Sequence, residues 1–239
     1  MSRAPFEDRV VWITGASRGI GRALAERFAR DRARLVLCGR DERALDEVVA
    51  AARGLGADAP MVEAFDLRSD DALDAFIDRA LERFGAPDCL INNAGFNPRK
   101  ALLEDVAPDE FDAVIAVNLR APFLILRRVF PRMRERGSGH IVHILSTVCH
   151  AAMETMGAYT AAKAGLAALT AVLRKEARPH GVRVTSVYPG GTNTEFRAAA
   201  RDDYMSPASV AELIHRALSA PDDIAVHELT FRPMVETNY

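Results

Sequence analysis

The stretch VVWITGASRGIGRALAERF, residues 10–28, decides the fold. It opens on an apolar run, Val10 to Ile13, short enough and apolar enough to be a strand buried on both faces. It closes on Ile20, Leu24 and Phe28, spaced four apart as on one face of a helix. Between them stand Gly15, Gly19 and Gly21, in a G-x-x-x-G-x-G spacing. That differs from the G-x-G-x-x-G dinucleotide fingerprint, but it can do the same physical work. Glycine permits a tight turn, lets the backbone approach a pyrophosphate, and leaves the amides of a helix N-terminus open to an anion. A plain strand-to-helix turn would satisfy the pattern too, so the rest of the chain must decide.

Working outward, six more short apolar runs read as strands: 34–38, 61–65, 89–91, 141–145, 182–187 and 226–231. Helical patterns fall between them. Asp41 is placed to cap the segment ERALDEVVAAARG, Ser69 to cap DDALDAFIDRALERFG, and Ser206 with Pro207 to open a last helix reaching about residue 219. A long helical segment over about 109–136 precedes the fifth strand, and 157–178 precedes the sixth. No linker or repeat divides the chain. The expected fold class is α/β: a single doubly wound Rossmann domain over residues 1–239, with a mostly parallel seven-stranded sheet and helices on both faces. Ligands of such sheets bind beyond the carboxyl ends of the strands, so motifs in those loops carry the function.

Composition narrows the classes. With 31 basic and 33 acidic residues the formal net charge is −2, which gives no pull toward nucleic acid or an anionic membrane. No apolar run approaches the ~20 residues that span a bilayer. The N-terminus lacks an apolar signal core, so a cytoplasmic protein is expected. Cys38, Cys89 and Cys149 are odd in number and widely spaced, as reduced and mostly buried thiols would be. The histidines form no HExxH pair, and no metal is expected.

A second stretch, GAYTAAKAG at 157–165, puts Tyr159 and Lys163 one helical turn apart on the same face. Alone, this is a half-buried tyrosine above a solvated lysine. Four further motifs change the reading. NNAG at 92–95 follows the fourth strand, and Asn118 stands in VNL between the fourth and fifth. Ser146 ends the fifth strand thirteen residues before Tyr159, and PGGTNT occupies 189–194. With TGASRGIG at 14–21, these six ordered motifs make the chain resemble the short-chain dehydrogenase/reductases of the compact, single-domain type, from about Arg9 to the C-terminus.

The resemblance implies hydride transfer between a nicotinamide cofactor and a carbonyl/alcohol pair on a small molecule. Tyr159 would be the proton donor and acceptor, and Lys163 would hold ribose hydroxyls and perturb the tyrosine. Ser146 would orient the substrate oxygen, and Asn118 would hold a water linking Lys163 to solvent. The cofactor would lie along Gly15, Ser17, Arg18, Gly19, Ile20 and Gly21, then Arg40, Asp66 and Leu67. It would continue over Asn93, Ala94 and Gly95 to Pro189, Gly190, Thr192 and Thr194. The chemistry is sound. A lysine ammonium at ~4 Å and an effective dielectric of ~20 favours phenolate by roughly 4 kcal/mol. That is enough to bring a tyrosine from about 10 toward neutrality.

Cofactor choice turns on CGRDE at 38–42, which holds both Arg40 and Asp41. Gly39 takes the position where NAD-using members carry an acid. Arg40 then suits a 2′-phosphate, Asp41 suits the next helix cap, and Arg18 adds a cation, so NADP(H) is expected over NAD(H). The chain departs from the family around Ser146: His143 and Leu145 occur in VHILSTVCH where VNISS is common. Substrate walls are expected at 96–103, 147–157 and 196–205, which mix Phe96, Met153 and Met156 with Arg99, Lys100, His150, Arg197 and Arg201. The ending HELTFRPM resembles a subgroup that oxidises serine and related 3-hydroxy acids, which tilts the substrate toward a small polar hydroxy acid or keto compound. The alternatives are an inactive NADP(H)-binding regulatory protein and a 3-oxoacyl carrier-protein reductase. A sugar-nucleotide epimerase would need more than the fifty or so residues after Pro189. A homotetramer or homodimer is expected, pairing the helices at 111–136 and 158–178.

Overall fold

The computed structural model describes residues 3–196 and 199–237. Seven strands form one sheet: β1 (Val10–Thr14), β2 (Arg34–Gly39), β3 (Met61–Ala64), β4 (Cys89–Asn92), β5 (Gly139–Ile144), β6 (Val182–Pro189) and β7 (Glu228–Phe231). Their spatial order is β3-β2-β1-β4-β5-β6-β7. Every ladder is parallel, the edge strand β7 included, so the sheet is wholly rather than mostly parallel.

Seven helices connect the strands: α1 (Gly19–Arg30), α2 (Glu42–Gly54), α3 (Asp70–Phe84), α4 (Pro108–Ile115), α5 (Ala121–Arg136), α6 (Gly157–Ala177) and α7 (Pro207–Leu218). The three expected caps are made. Asp41 accepts from Ala44 N at 3.0 Å, Ser69 from Ala72 N at 3.3 Å, and Ser206 from Ser209 N at 3.1 Å. Alternate strand residues serve two cores. Ile13, Leu37, Ile91, Val142 and Val187 pack with α1, α2 and α7. Trp12, Val36, Leu90, Ile141 and Val184 pack with α3, α5 and α6. Each such side chain contributes roughly 1.5–3 kcal/mol over an exposed one, which is why the strands are apolar on both faces.

The long segment before β5 differs from the single helix expected. A π-helical turn, Ala116–Arg120, separates α4 from α5, and the Ala121 amide bonds the Ala116 carbonyl five residues back. Two residues explain it. Pro122 has no N–H to give the Asn118 carbonyl four residues earlier, and the Asn118 side chain itself donates to the Val114 carbonyl at 2.9 Å.

Candidate active site

The sheet order reverses between β1 and β4, and the loops leaving these strands are tied together there. Thr14 Oγ1 accepts from the amides of Asn93 (3.1 Å) and Ala94 (3.0 Å). Asn93 Nδ2 donates to the carbonyls of Thr14 (2.9 Å) and Gly15 (3.1 Å). The glycines are required here. Gly15 has φ +65° and a Cβ on it would lie 2.7 Å from Ala94 Cα, while one on Gly21 would lie 2.2 Å from the Gly15 carbonyl oxygen. The first turn of α1 carries no acid, and its N-cap Arg18 makes no side-chain cap. The amides of that helix end therefore suit an anion from outside the chain.

Tyr159 and Lys163 project from the first two turns of α6, both buried. Lys163 Nζ donates to the Ile144 carbonyl at the end of β5 (2.8 Å) and lies 5.7 Å from the centre of the Tyr159 ring. Burial pushes the Lys163 ammonium down to about 8. Ser146, two residues past β5, caps a single 3-10 turn by accepting from Val148 N at 3.3 Å.

One cavity of about 590 Å³ runs from the α1 N-terminus to these side chains. Ser146, Tyr159 and Lys163 line it, as do Ser17, Arg18, Gly19 and Ile20 of the first loop. Arg40, Asp66 and Leu67 line it after β2 and β3, and Ala94 and Gly95 after β4. Pro189, Gly190, Thr192 and Thr194 do so after β6. A cleft at the strand-order reversal, with an open helix N-terminus at one end and a tyrosine–lysine pair at the other, fits a dinucleotide beside a small substrate.

A family model described as short chain dehydrogenase matches residues 9–205. The chain belongs to this family. A Staphylococcus aureus (strain MW2) protein described as an uncharacterized oxidoreductase is 33% identical over 230 residues, covering 95% of this chain and 98% of that one. A metagenomic short-chain oxidoreductase solved with NADP superposes with a TM-score of 0.86 at 34% identity, covering 97% of this chain and all of that one. A 3-ketoacyl-(acyl-carrier-protein) reductase from Brucella melitensis, solved with NADH, gives 0.86 at 28% identity over 96% of this chain and 98% of that one.

Two expected residues of this short-chain dehydrogenase lie behind the cavity wall rather than on it. Gly21 serves the close packing of α1 on the β1 turn. Asn118 is fully buried: its Nδ2 donates to the carbonyls of Phe96 (2.7 Å) and Val114 (2.9 Å), and its Oδ1 accepts from Phe96 N (3.2 Å). One amide proton pins the loop after β4 to the π turn, and the other is spent on α4. Asp41, the competitor of Arg40, is spent on the α2 cap, and Asp66 is held low by its hydrogen bonds from Arg68. Arg40 stacks over Phe96, 5.4 Å from the ring centre.

None of His143, Cys149 and His150 lines the cavity, so His150 is not part of the substrate wall where the sequence placed it. His143 is buried against Thr170 (2.5 Å), and His150 packs at a tilt against Tyr188, ring centres 4.3 Å apart. Arg197 lies outside the described residues. The short-chain dehydrogenase motifs do not flag Glu236, which does line the cavity. Its Oε1 accepts from Gly191 N at 2.8 Å, and its Oε2 pairs with Arg232 at 3.4 Å. The available signal was PGG itself, because a Cβ at Gly191 would meet Tyr204 at 2.2 Å and Glu236 at 2.7 Å.

Proposed function

We propose that this oxidoreductase moves a hydride between NADP(H) and a carbonyl/alcohol pair, with Tyr159 as the acid–base group. The observation that carries this reading is that Ser146, Tyr159 and Lys163 line the same cavity as the glycine loop at the α1 N-terminus. When bound, the cofactor supplies or takes the hydride at the substrate carbon. The chain supplies the rest. In reduction the Tyr159 hydroxyl gives its proton to the carbonyl oxygen, and Ser146 Oγ donates a hydrogen bond to the same oxygen. Lys163, at about 8, is largely protonated at pH 7, so its charge favours phenolate when the proton leaves. The same side chain would hold a ribose hydroxyl.

The preference for NADP(H) rests on Arg18 and Arg40, both exposed on the cavity wall, neither within 4 Å of a carboxylate among the described residues. The nearby acids Asp41 and Asp66 have other partners. Asn118 acts in this reading by fixing the loop and π turn behind Lys163. We also take the chain to be a cytoplasmic homotetramer or homodimer. The deciding experiment is a panel of ketones and alcohols with both cofactors, followed by nicotinamide absorbance. Turnover favouring NADPH supports the reading, whereas cofactor binding with no turnover across the panel would make the protein a binder.

A further inference from the structure

Three loops build the substrate side of the cavity, and two of them are joined. The Ala101 amide donates to the Thr155 carbonyl at 3.1 Å, and Ala101 bridges Met156. The larger apolar side chains that this wall presents, beside the polar Asn97 and Thr147, are Phe96, Val148, Met153 and Met156, and the Phe196 ring lies 5.6 Å from that of Tyr159. Val148 and Met156 pack in one cluster with Tyr159. Met153 and Phe196, which line the cavity, are each 43% exposed. Large apolar groups on loops around one opening mark a surface that gains by covering apolar matter, and methionine adapts to varied shapes.

The charges point the same way. An acid substrate needs a cation, and the two loop arginines among the described residues are engaged. Arg99 donates to Glu110 Oε2 at 2.9 and 3.1 Å and to the Asp105 carbonyl at 2.6 Å. Arg201 forms a two-pronged pair with Asp203 at 2.8 and 2.7 Å. Among the described residues of these loops, that leaves the exposed Lys100. One carboxylate, Glu195, lines the same cavity and opposes an anion, while Glu236 is paired with Arg232.

We propose that the substrate is a neutral ketone or secondary alcohol bearing an apolar arm, and not a hydroxy or keto acid; this rests on the carbonyl-reductase reading above. The arm lies along Met153, Met156 and Phe196, with the oxygen at Tyr159. Reduction adds the hydride of NADPH to the carbonyl carbon and the Tyr159 proton to its oxygen, giving the secondary alcohol and NADP⁺.

The test compares matched probes on the full-length enzyme: ethyl 3-oxohexanoate against 3-oxohexanoate with NADPH, and ethyl 3-hydroxyhexanoate against 3-hydroxyhexanoate with NADP⁺. The neutral member of each pair should show kcat/KM at least tenfold higher. Met153→Asn should raise KM for the ester about tenfold with kcat and NADPH affinity within twofold, and Lys100→Gln should leave the neutral member of each pair preferred. Equal or better turnover of the acids, or their selective loss in Lys100→Gln, would overturn the inference and leave the carbonyl-reductase reading standing. If NADPH binds and neither kind of probe turns over, that reading falls and takes this one with it.

Discussion

The Lys163 ammonium donates to the Ile144 carbonyl at 2.8 Å, locking the first turns of α6 to the end of β5 where Tyr159 and Ser146 meet the cavity. The lysine is thereby held by the backbone of one element while its charge faces a side chain of another. Replacing Tyr159 with Phe should lower kcat by at least about 100-fold, the scale of a lost general acid, while NADPH affinity by fluorescence titration stays nearly constant. Substantial residual turnover would remove Tyr159 from the chemistry. Lys163→Ala should damage both quantities, and unchanged cofactor affinity there would refute the ribose role.

Arg40 should discriminate between cofactors. Its guanidinium lies over Phe96 on the cavity wall, and the neighbouring Asp41 is committed to Ala44 N. Arg40→Ala should weaken NADP(H) by about 1.5–3 kcal/mol, the worth of a hydrogen bond to a charged group, with little effect on NAD(H). The measurement is kcat/KM for both cofactors in both proteins. Equal losses, or a wild type that prefers NADH, would reduce Arg40 to a surface charge.

Glu236 should act as a positioning residue for the loop after β6. Removing its carboxylate leaves the Gly191 amide without that acceptor and Arg232 without that ion pair. Glu236→Ala should raise KM for the cofactor about tenfold, near 1.4 kcal/mol, and Glu236→Gln, which keeps an acceptor, should restore most of it. A Gln variant as impaired as the Ala variant would show that charge, not loop placement, matters.

The acid limb of stability should be set by two buried histidines. Thr185 Oγ1 donates to the Val226 carbonyl, so His140 must donate to it through Nε2, and its Nδ1 has no partner among the described residues. Thr170 likewise donates to the Leu166 carbonyl, so His143 donates through Nδ1 and its Nε2 is unpartnered among the described residues. A proton added to either ring would be buried without an acceptor, and burial pushes both down to about 3 from the ordinary 6.5. Because the folded values are depressed, the unfolded chain binds more protons below pH 6.5. The stabilisation is full above 6.5 and is lost as pH falls toward 3. At pH 4.5 the loss is on the order of 2–3 kcal/mol per histidine. Melting of wild type and of a His140→Gln/His143→Asn double variant at pH 7 and 4.5 checks this. The variant should lose less Tm on acidification, and parallel losses would contradict the assignment.

Oligomer formation should use the outer faces of α5 and α6, where Phe123 is 44% and Val172 57% exposed. Light scattering at micromolar protein should give a dimer or tetramer, and Phe123→Glu with Val172→Glu should lower that mass. A monomeric wild type would end this proposal.

Much of the molecule is local in origin and was therefore legible. Ile20, Leu24 and Phe28 declare a helix face, and Asp41, Ser69 and Ser206 cap helices through bonds to amides three residues on. The apolar runs on both sides of each helix require a sheet covered on two faces. The order of motifs along the chain then placed Ser146, Tyr159 and Lys163 in loops and turns at one end of that sheet. The tie from Asn118 to Phe96 was not legible, because the two lie twenty-two residues apart and only the fold brings the β4 loop alongside.

The sequence by itself determined the strand–helix alternation, the glycine loop and the tyrosine–lysine pair, since each is written in contacts a few residues apart. Only the tertiary structure decided which charges remain available. Arg99 meets Glu110 eleven residues away, and Glu236 reaches Gly191 across forty-five residues. A charge's partner depends on which distant carboxylate the folded chain brings within about 4 Å, and periodicity carries no record of that distance.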